Sequence, residues 1–270
     1  MPRDLRIWLG GGFILFLLIL AIFAPLLAPF DPLEQDLMAA TLGPGQDGHW
    51  LGTDSLGRDL FSRMIYATRI ALTVAVVAAS LACLLGTALG LLAGYFRGWT
   101  DALISRLIDV WMAFPPVLLS ILLVAVLGAG LHSVIAAIVI IDWTRFARVV
   151  RAETLQQAKL EYAEAASALG MGRMAILWRE ILPNVLPVVL VLLSLEMGIA
   201  VIVEAILSFV GLSVSTDTPT WGGMIAEGRQ IIYQAWWVLV FPLASLFLTV
   251  LAFNQLGDGL RQWLDPMLKR

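Results

Sequence analysis

Two glutamates, Glu196 and Glu204, lie within an apolar stretch of the chain that spans residues 185–210. An ionisable group is expensive in hydrocarbon, so it normally faces a polar cavity or a partner group. Both carboxylates are therefore candidates for a translocation path, and a structural hydrogen bond is the alternative for Glu204. Asp142 lies three residues before Arg145, a spacing that predicts a local ion pair on one face of a helix.

The chain lacks the residues that ATP binding or catalysis would need. No G-x-x-x-x-G-K-[ST] phosphate loop occurs, so the chain does not bind ATP by that route. The only histidines are His49 and His132, no H-E-x-x-H exists, and the single Cys83 lies in an apolar run. Since an intramembrane hydrolase needs a nucleophile with a base or a metal cluster, we predict no catalytic residue, no metal and no cofactor in this chain.

The composition indicates which solvent surrounds these residues. Of the 270 residues, 60% are hydrophobic and 14% are charged, and the mean hydropathy is +0.90, whereas soluble domains carry roughly 25% charged residues. We therefore predict an all-α polytopic membrane protein that has membrane lipid as a partner. The net charge of −3 shows no basic bias, so no nucleic-acid partner is expected.

Six apolar runs predict about six transmembrane helices. They cover residues 7–28, 70–96, 110–127, 131–141, 185–210 and 235–256. Pro115 and Pro116 lie early in the third run, where they fit a first helical turn or cause a kink. The fourth run is short and must continue through Asp142 and Trp143, or lean against its neighbours. The first run is longer than the apolar region of a cleaved signal peptide, which disfavours that alternative.

The basic residues predict the orientation of these helices. With the N-terminus in the cytoplasm, 13 of the 17 basic residues fall inside, and both termini are cytoplasmic. The larger loops are then an outer one at 30–68, an inner one at 144–184 and an outer one at 211–234. We divide the chain into residues 1–69, which hold the first helix and the first outer loop, and a core transmembrane domain at 70–270.

The inner loop predicts a helical hairpin. Residues 153–169 read as one helix, Gly170 and Gly172 break it, and residues 173–182 read as a second helix ended by Pro183. Ala163, Ala165, Ala166 and Ala168 keep the first helix small, so another protein surface could approach its backbone, and Glu161 and Glu164 offer charges for pairing. A docking site for a partner and a solvated loop fit these residues equally well.

The hairpin resembles a known motif. Glu164-Ala165-Ala166, then Gly170, then Leu182-Pro183 is similar to the EAA loop of ABC importer permeases, although Glu180 stands where that pattern prefers an apolar residue. Further motifs resemble the C-type permeases of dipeptide, oligopeptide and nickel importers. These are Leu51-Gly52-Thr53-Asp54, Leu56-Gly57-Arg58-Asp59, Ser208-Phe209-Val210-Gly211-Leu212, Trp221-Gly222 and Gly257-Asp258-Gly259-Leu260-Arg261.

The resemblance implies a type I ABC importer permease in the bacterial inner membrane, which is no enzyme itself. The implied partners are a second, B-type permease, two cytoplasmic ATPase subunits that bind ATP and Mg, and a periplasmic or lipid-anchored solute-binding protein. The loop at about 152–184 would couple to the ATPases. The coupling residues implied by the motif are Glu161, Glu164, Ala165, Ala166, Gly170, Leu182 and Pro183.

The outer loops hold the candidate contacts with the binding protein, namely Trp221, Glu227, Arg229 and Arg58, and a local pair of Arg58 with Asp59 is the alternative for Arg58. The expected solute is a peptide, while the same branch also carries nickel, opines and oligosaccharides. A secondary transporter and a membrane scaffold are the competing classes, but neither explains the EAA spacing. Ala78, Ala82, Gly86, Gly90 and Gly94 form a small-residue stripe for close packing of a helix whose chain of origin is left open.

Overall fold

Helices make up the regular structure of the computed structural model, which describes residues 3–214 and 218–264. Within these residues no β-strand forms, and the predicted all-α class is confirmed. The predicted positions of Lys269 and Arg270 lie outside the described residues. The helices are α1 (Arg3–Ile22), α2 (Ala24–Leu27), α3 (Leu60–Phe96), α4 (Gly98–Met112), α5 (Pro116–Leu127), α6 (Leu131–Gln157), α7 (Glu161–Ala168), α8 (Arg173–Ile176), α9 (Leu182–Phe209), α10 (Trp221–Gln230) and α11 (Trp237–Leu264).

Four helical segments of the described chain are long and apolar enough to cross a membrane, and a fifth span is counted if the bent pair of α4 and α5 crosses as one. The four segments are Leu5–Ile22, Leu60–Phe96, Arg173–Phe209 and Trp237–Leu264. Helix α6 contains the remaining predicted span. It runs unbroken through Asp142 and Trp143, as its short apolar run required.

Two predicted spans, the first and the third, are wrong in their bounds. The third span is not one helix over 110–127, because α4 ends at Met112 and α5 begins at Pro116 with an axis bent by 88°. Pro115 has no N–H to donate and adopts an extended conformation before α5. The first span ends at Ile22, ahead of the proline in the first turn of α2. The helix that contains the second span begins ten residues before it, at Leu60, because the Asp59 side chain accepts a hydrogen bond from the Ser62 N–H at 2.7 Å and caps α3.

The small-residue stripe of α3 packs on α6 of the same chain, which answers the question that the sequence left open. A Cβ added to Gly90 would lie 2.7 Å from the carbonyl oxygen of Ala147, and one added to Gly94 would lie 2.7 Å from that of Arg151. Residue numbers rise together along both helices, so α3 and α6 are parallel. The chain between them, which is α4 and α5, must therefore return to the opposite side of the molecule.

The hairpin differs from its predicted boundaries. Helix α6 ends at Gln157, and α7 starts only at Glu161, so residues 153–169 are not one helix. Pro183 does not end the second helix, because α8 continues through a π-helical segment, Leu177–Ile181, into α9. In that segment the Leu182 N–H donates to the Leu177 carbonyl. With this wider turn the helix continues past Pro183, which has no N–H to donate. The second half of the hairpin is therefore joined directly to a membrane span.

Candidate functional site

One face of α7 is exposed and carries both predicted glutamates. Glu161, Glu164, Ala165 and Ala168 are exposed, while Ala163 and Ala166 are each 6% exposed. Positions 161, 164, 165 and 168 follow the spacing of one helical face, because residues three and four apart are neighbours. The exposed face therefore combines two negative charges with two methyl side chains. We call these four residues the α7 face.

The alanines of α7 have two different roles, because some pack against the core of the chain and others lie on the exposed face. Ala166 packs in the core with Ile176, Leu177 and Ile181, so its methyl group is in contact with the chain's own second hairpin helix. Only Ala165 and Ala168 leave the backbone open to another molecule. The expectation that all four alanines face a partner is wrong, because an amphipathic helix must bury one face on its own protein.

Gly170 closes the hairpin tip in a conformation that favours glycine. Its φ is +81°, which side chains other than that of glycine rarely adopt. The Gly170 N–H donates to the Ser167 carbonyl at 3.0 Å, and the Met171 N–H donates to the Ala166 carbonyl at 3.1 Å. Leu169 projects from this turn and is 85% exposed. The tip therefore adds an apolar side chain next to the α7 face.

The other two predicted coupling residues, Leu182 and Pro183, lie at the start of α9 rather than on the α7 face. Leu182 is half-buried and packs against the core around Ile181, whereas Pro183 is exposed. They join the hairpin to the membrane span. Leu182 therefore packs within the chain, whereas Pro183 is accessible from outside.

A charged group lies between α6 and α9, and its arginine was not among the predicted path residues. The Arg145 Nη1 donates to both carboxylate oxygens of Glu196, at 3.2 and 3.3 Å. The predicted pair of Arg145 with Asp142 is confirmed at 3.8 Å, which is too long for a hydrogen bond. The side chains of Glu196 and Asp142 are buried, but that of Arg145 is 33% exposed. Arg145 is therefore the accessible member of this group.

Glu204 makes its hydrogen bonds within the chain. It is 1% exposed, and its Oε1 accepts from the Ser208 hydroxyl at 2.6 Å and from the Ser213 hydroxyl at 3.1 Å. Both hydroxyls belong to the end of α9 and the turn that follows. The contacts support the structural alternative for Glu204. Glu196, with an accessible arginine beside it, is the stronger candidate for the path.

Four charged residues form a cluster on the side of the molecule opposite to the hairpin, and the sequence did not predict this cluster. Asp54 pairs with Arg58 at 2.7 Å and also with Arg63, while Glu227 pairs with Arg58 at 3.0 Å and with Arg63 at 2.8 Å. We call these four residues the outer cluster. It joins the first loop and the start of α3 to α10. No local pattern connects residue 227 with residues 54–63, so only the motif around Arg58 was visible beforehand.

The alternative pairing of Arg58 with Asp59 is wrong, because the Asp59 carboxylate caps α3 and also contacts the His49 Nδ1 at 2.9 Å. Burial alone would raise the pKa of Glu227, but the hydrogen bonds and charges of Arg63 and Arg58 outweigh it and hold that pKa below its ordinary value. The carboxylate is therefore held in its charged form.

The four predicted contacts with a binding protein differ in exposure. Trp221 is 2% exposed and Arg58 is 8% exposed, so both support the fold from within. Glu227 is partly exposed, with 34% of its side chain open. Arg229 is exposed, and its guanidinium lies 5.4 Å from the ring centre of Phe209. Arg229 and Glu227 are thus the accessible members of the set.

In the described residues no group of three or more His, Cys, Asp or Glu side chains is arranged to hold a metal ion. Two families match the sequence. Residues 86–270 match the family described as "binding-protein-dependent transport system inner membrane component", and residues 7–44 match the "N-terminal TM domain of oligopeptide transport permease C".

Curated proteins are similar over nearly the whole chain. A glutathione transport system permease protein of Pectobacterium atrosepticum is 44% identical over 261 residues, which are 96% of this chain and 86% of that protein. A dipeptide transport system permease protein of Alkalihalophilus pseudofirmus is 42% identical over 252 residues, or 93% of this chain and 83% of that protein.

Solved structures share the fold at lower identity. An inward-facing conformation of the MetNI methionine ABC transporter aligns with a TM-score of 0.64 and 19% identity, over 75% of this chain and 96% of that chain. An amino acid ABC transporter aligns with a TM-score of 0.58 and 19% identity, over 76% and 95% of the two chains.

Proposed function

This chain belongs to the family of binding-protein-dependent transport system inner membrane components, and from that premise we propose how it is driven and what it carries. The chain is a multi-pass permease subunit of an ABC importer, not an enzyme, and the predicted type I importer fold is confirmed. We propose that its solute is a peptide, since the proteins at 42% and 44% identity are named for dipeptide and glutathione transport. Nickel, opine and oligosaccharide remain the alternatives.

We further propose that the α7 face docks on a cytoplasmic ATPase subunit, one of two that bind ATP and Mg. The observation that carries this proposal is the exposure of Glu161, Glu164 and Leu169 on a hairpin that connects α6 to α9. Charge on that face suits a basic groove, and the apolar tip suits a pocket. Because the π-helical segment joins the hairpin to α9 without a loop, movement of the hairpin would be transmitted to α9 directly.

The remaining assignments complete the assembly. The chain would pair with a B-type permease in the bacterial inner membrane, with both termini in the cytoplasm, and would receive solute from a periplasmic or lipid-anchored binding protein. Glu227 and Arg229 are its proposed contacts with that protein. Arg145 and Glu196 would line this chain's half of the path. Residues 1–69 would form the N-terminal transmembrane helix and the first periplasmic loop, and residues 70–270 the permease core.

The test uses the complex reconstituted in vesicles, with peptide uptake and ATP hydrolysis measured on the same sample. Glu164→Lys should reduce uptake at least tenfold, because it removes an ion pair and adds like-charge repulsion at the docking surface. Glu34→Lys, the same change on the exposed first loop, should leave uptake unaltered. Normal uptake by the Glu164→Lys complex would show that the hairpin is only a connecting loop.

A further inference from the structure

A partly open cleft of about 590 Å³ lies between α6, α9 and α11, on the side of the molecule that carries the hairpin. Its wall inside the membrane region is apolar and includes Val149, Val191 and Leu195. Cavities of this volume hold small-molecule ligands in other proteins. The wall offers no hydrogen-bonding side chain at these three positions. An occupant that lies along it must therefore be apolar there, because a buried polar group without a partner is costly.

The mouth of the cleft is polar and basic. Gln157 ends α6, Asn184 lies in the first turn of α9, and Arg261 lies in the last turn of α11. No carboxylate of the described chain lines the cleft. Within residues 3–214 and 218–264, Arg261 has no ion-pair partner within 4.0 Å. The mouth therefore presents one positive charge and two amide groups to an occupant.

The length of the cleft matches one leaflet of a bilayer. Asn184 and Leu195 are eleven residues apart on α9, which corresponds to about 16 Å along the helix axis. Half of the hydrocarbon core of a bilayer is about 15 Å thick. The polar mouth and the end of the apolar wall are thus separated by the distance between a lipid headgroup and the bilayer midplane.

We propose that this cleft binds one anionic glycerophospholipid, with an acyl chain along the Val149 and Val191 wall and the phosphate at Arg261. The Gln157 and Asn184 amide nitrogens each carry two N–H groups. The Gln157 amide is seen to use one of them within the chain, to Glu153 at 2.9 Å, whereas the Asn184 amide donates to the Glu180 carbonyl at 2.7 Å and also hydrogen-bonds the Tyr162 side chain. The second N–H of the Gln157 amide can donate to the headgroup. Basic pockets between membrane helices bind anionic headgroups in this way.

The proposal goes beyond the transport function and does not depend on which solute is carried. A peptide would bring polar backbone groups to a wall that cannot pair with them. A lipid matches the wall with its chain and the mouth with its charge. The cleft is therefore assigned to membrane lipid rather than to the solute.

The test is native mass spectrometry of the full chain, purified in mild detergent with the subunits that accompany it and then stripped of lipid. Dioleoyl phosphatidylglycerol and dioleoyl phosphatidylcholine, which have the same acyl chains, are titrated separately. The wild-type protein should bind one phosphatidylglycerol about fivefold more tightly than phosphatidylcholine. This is the factor expected for one arginine beside an anionic headgroup. Arg261→Gln should remove this preference, and Arg69→Gln, at an exposed arginine of α3 on the opposite side, should keep it. Equal binding of the two lipids by the wild-type protein would overturn the proposal.

A second pair of variants tests the wall. Val191→Trp should fill the cleft and lower the binding of both lipids, whereas Leu122→Trp on the exposed surface of α5 should not. Unchanged binding by Val191→Trp, in protein that elutes as the wild type does, would refute the assignment. A covalent link to another subunit, formed by irradiating a photoreactive side chain placed at residue 191, would give the cleft to that subunit instead. Displacement of phosphatidylglycerol by the peptide would give it to the transport path. Uptake is not measured with either pair of variants. The lipid-binding result would therefore stand even if the proposed solute were wrong.

Discussion

Replacing Gly170 tests whether the hairpin turn must keep its shape for coupling. The φ of Gly170 is +81°, and a Cβ added there would meet nothing within 4 Å. The cost of a side chain is therefore that of the backbone conformation alone, about 1–2 kcal/mol for an ordinary residue and less for asparagine. Gly170→Val should cost the most, because β-branched residues tolerate positive φ least. A cost of this size lowers the population of the closed turn by about 5–30-fold.

Gly172 provides a matched control two residues along the chain. A Cβ added to Gly172 would also meet nothing within 4 Å, but its φ is −64° and it is the N-cap of α8. The same change to serine should therefore have opposite effects. Gly170→Ser should open the turn, whereas Gly172→Ser should leave it closed or stabilise it slightly, because serine is a favourable N-cap.

Hydrogen exchange measured by mass spectrometry reports this directly. In peptides that cover residues 158–176, protection of the Gly170 and Met171 amides should fall by about 5–30-fold in Gly170→Val, because both donate hydrogen bonds that close the turn. The variant complex should still assemble and hydrolyse ATP, but without coupled uptake. Equal losses in Gly170→Ser and Gly172→Ser, or equal effects of asparagine and valine at 170, would refute the reasoning from φ.

Three further predictions concern other sites. Glu204→Leu should lower the stability of the detergent-solubilised complex by about 1–3 kcal/mol for each buried serine hydroxyl that it leaves unpaired, while Glu204→Gln, which keeps an acceptor oxygen, should cost less. Arg63→Met should cost about 3 kcal/mol in the same melting assay, the low end for a broken buried pair, because a second arginine still contacts Asp54. The Glu227 pKa is lowered in the fold, so its stabilisation is present above the ordinary pKa of 4.5 and is lost as the pH falls below it. Glu227→Gln should therefore reduce the loss of melting temperature on acidification.

The sequence could predict the elements whose pattern is local. The apolar runs located α1, α3, α6, α9 and α11 but missed α4, Gly98–Met112. The stripe of glycines four residues apart marked a close helix contact, because such a signal repeats within one helix. The 88° bend between α4 and α5 was not predictable in size. Pro115 and Pro116 indicate that a helix is interrupted, but the angle depends on packing against α6, which lies in a different part of the sequence.

The parts of the candidate sites that escaped prediction depend on contacts between distant residues. Glu227 meets Arg63 across 164 positions, and Arg145 meets Glu196 across 51. Neither spacing has a meaning within one helix or turn. The sequence also could not predict that Ala166 is buried against its own chain, because an alanine fits equally well against its own chain or against another protein. The exposure of Leu169 showed only once the turn at Gly170 had been placed.

The π-helical segment Leu177–Ile181 fixes the angular relation between the hairpin and the membrane. A π turn contains one residue more than an α turn, so removing a single residue there would restore a regular helix. The residues on one side of the deletion would then be rotated by about 100° about the helix axis relative to those on the other. The α7 face would point in a different direction while every helix remained intact. The number of residues from Gly170 to Pro183 therefore determines the direction of the α7 face. A one-residue deletion within this segment should reduce coupled uptake more than most substitutions do.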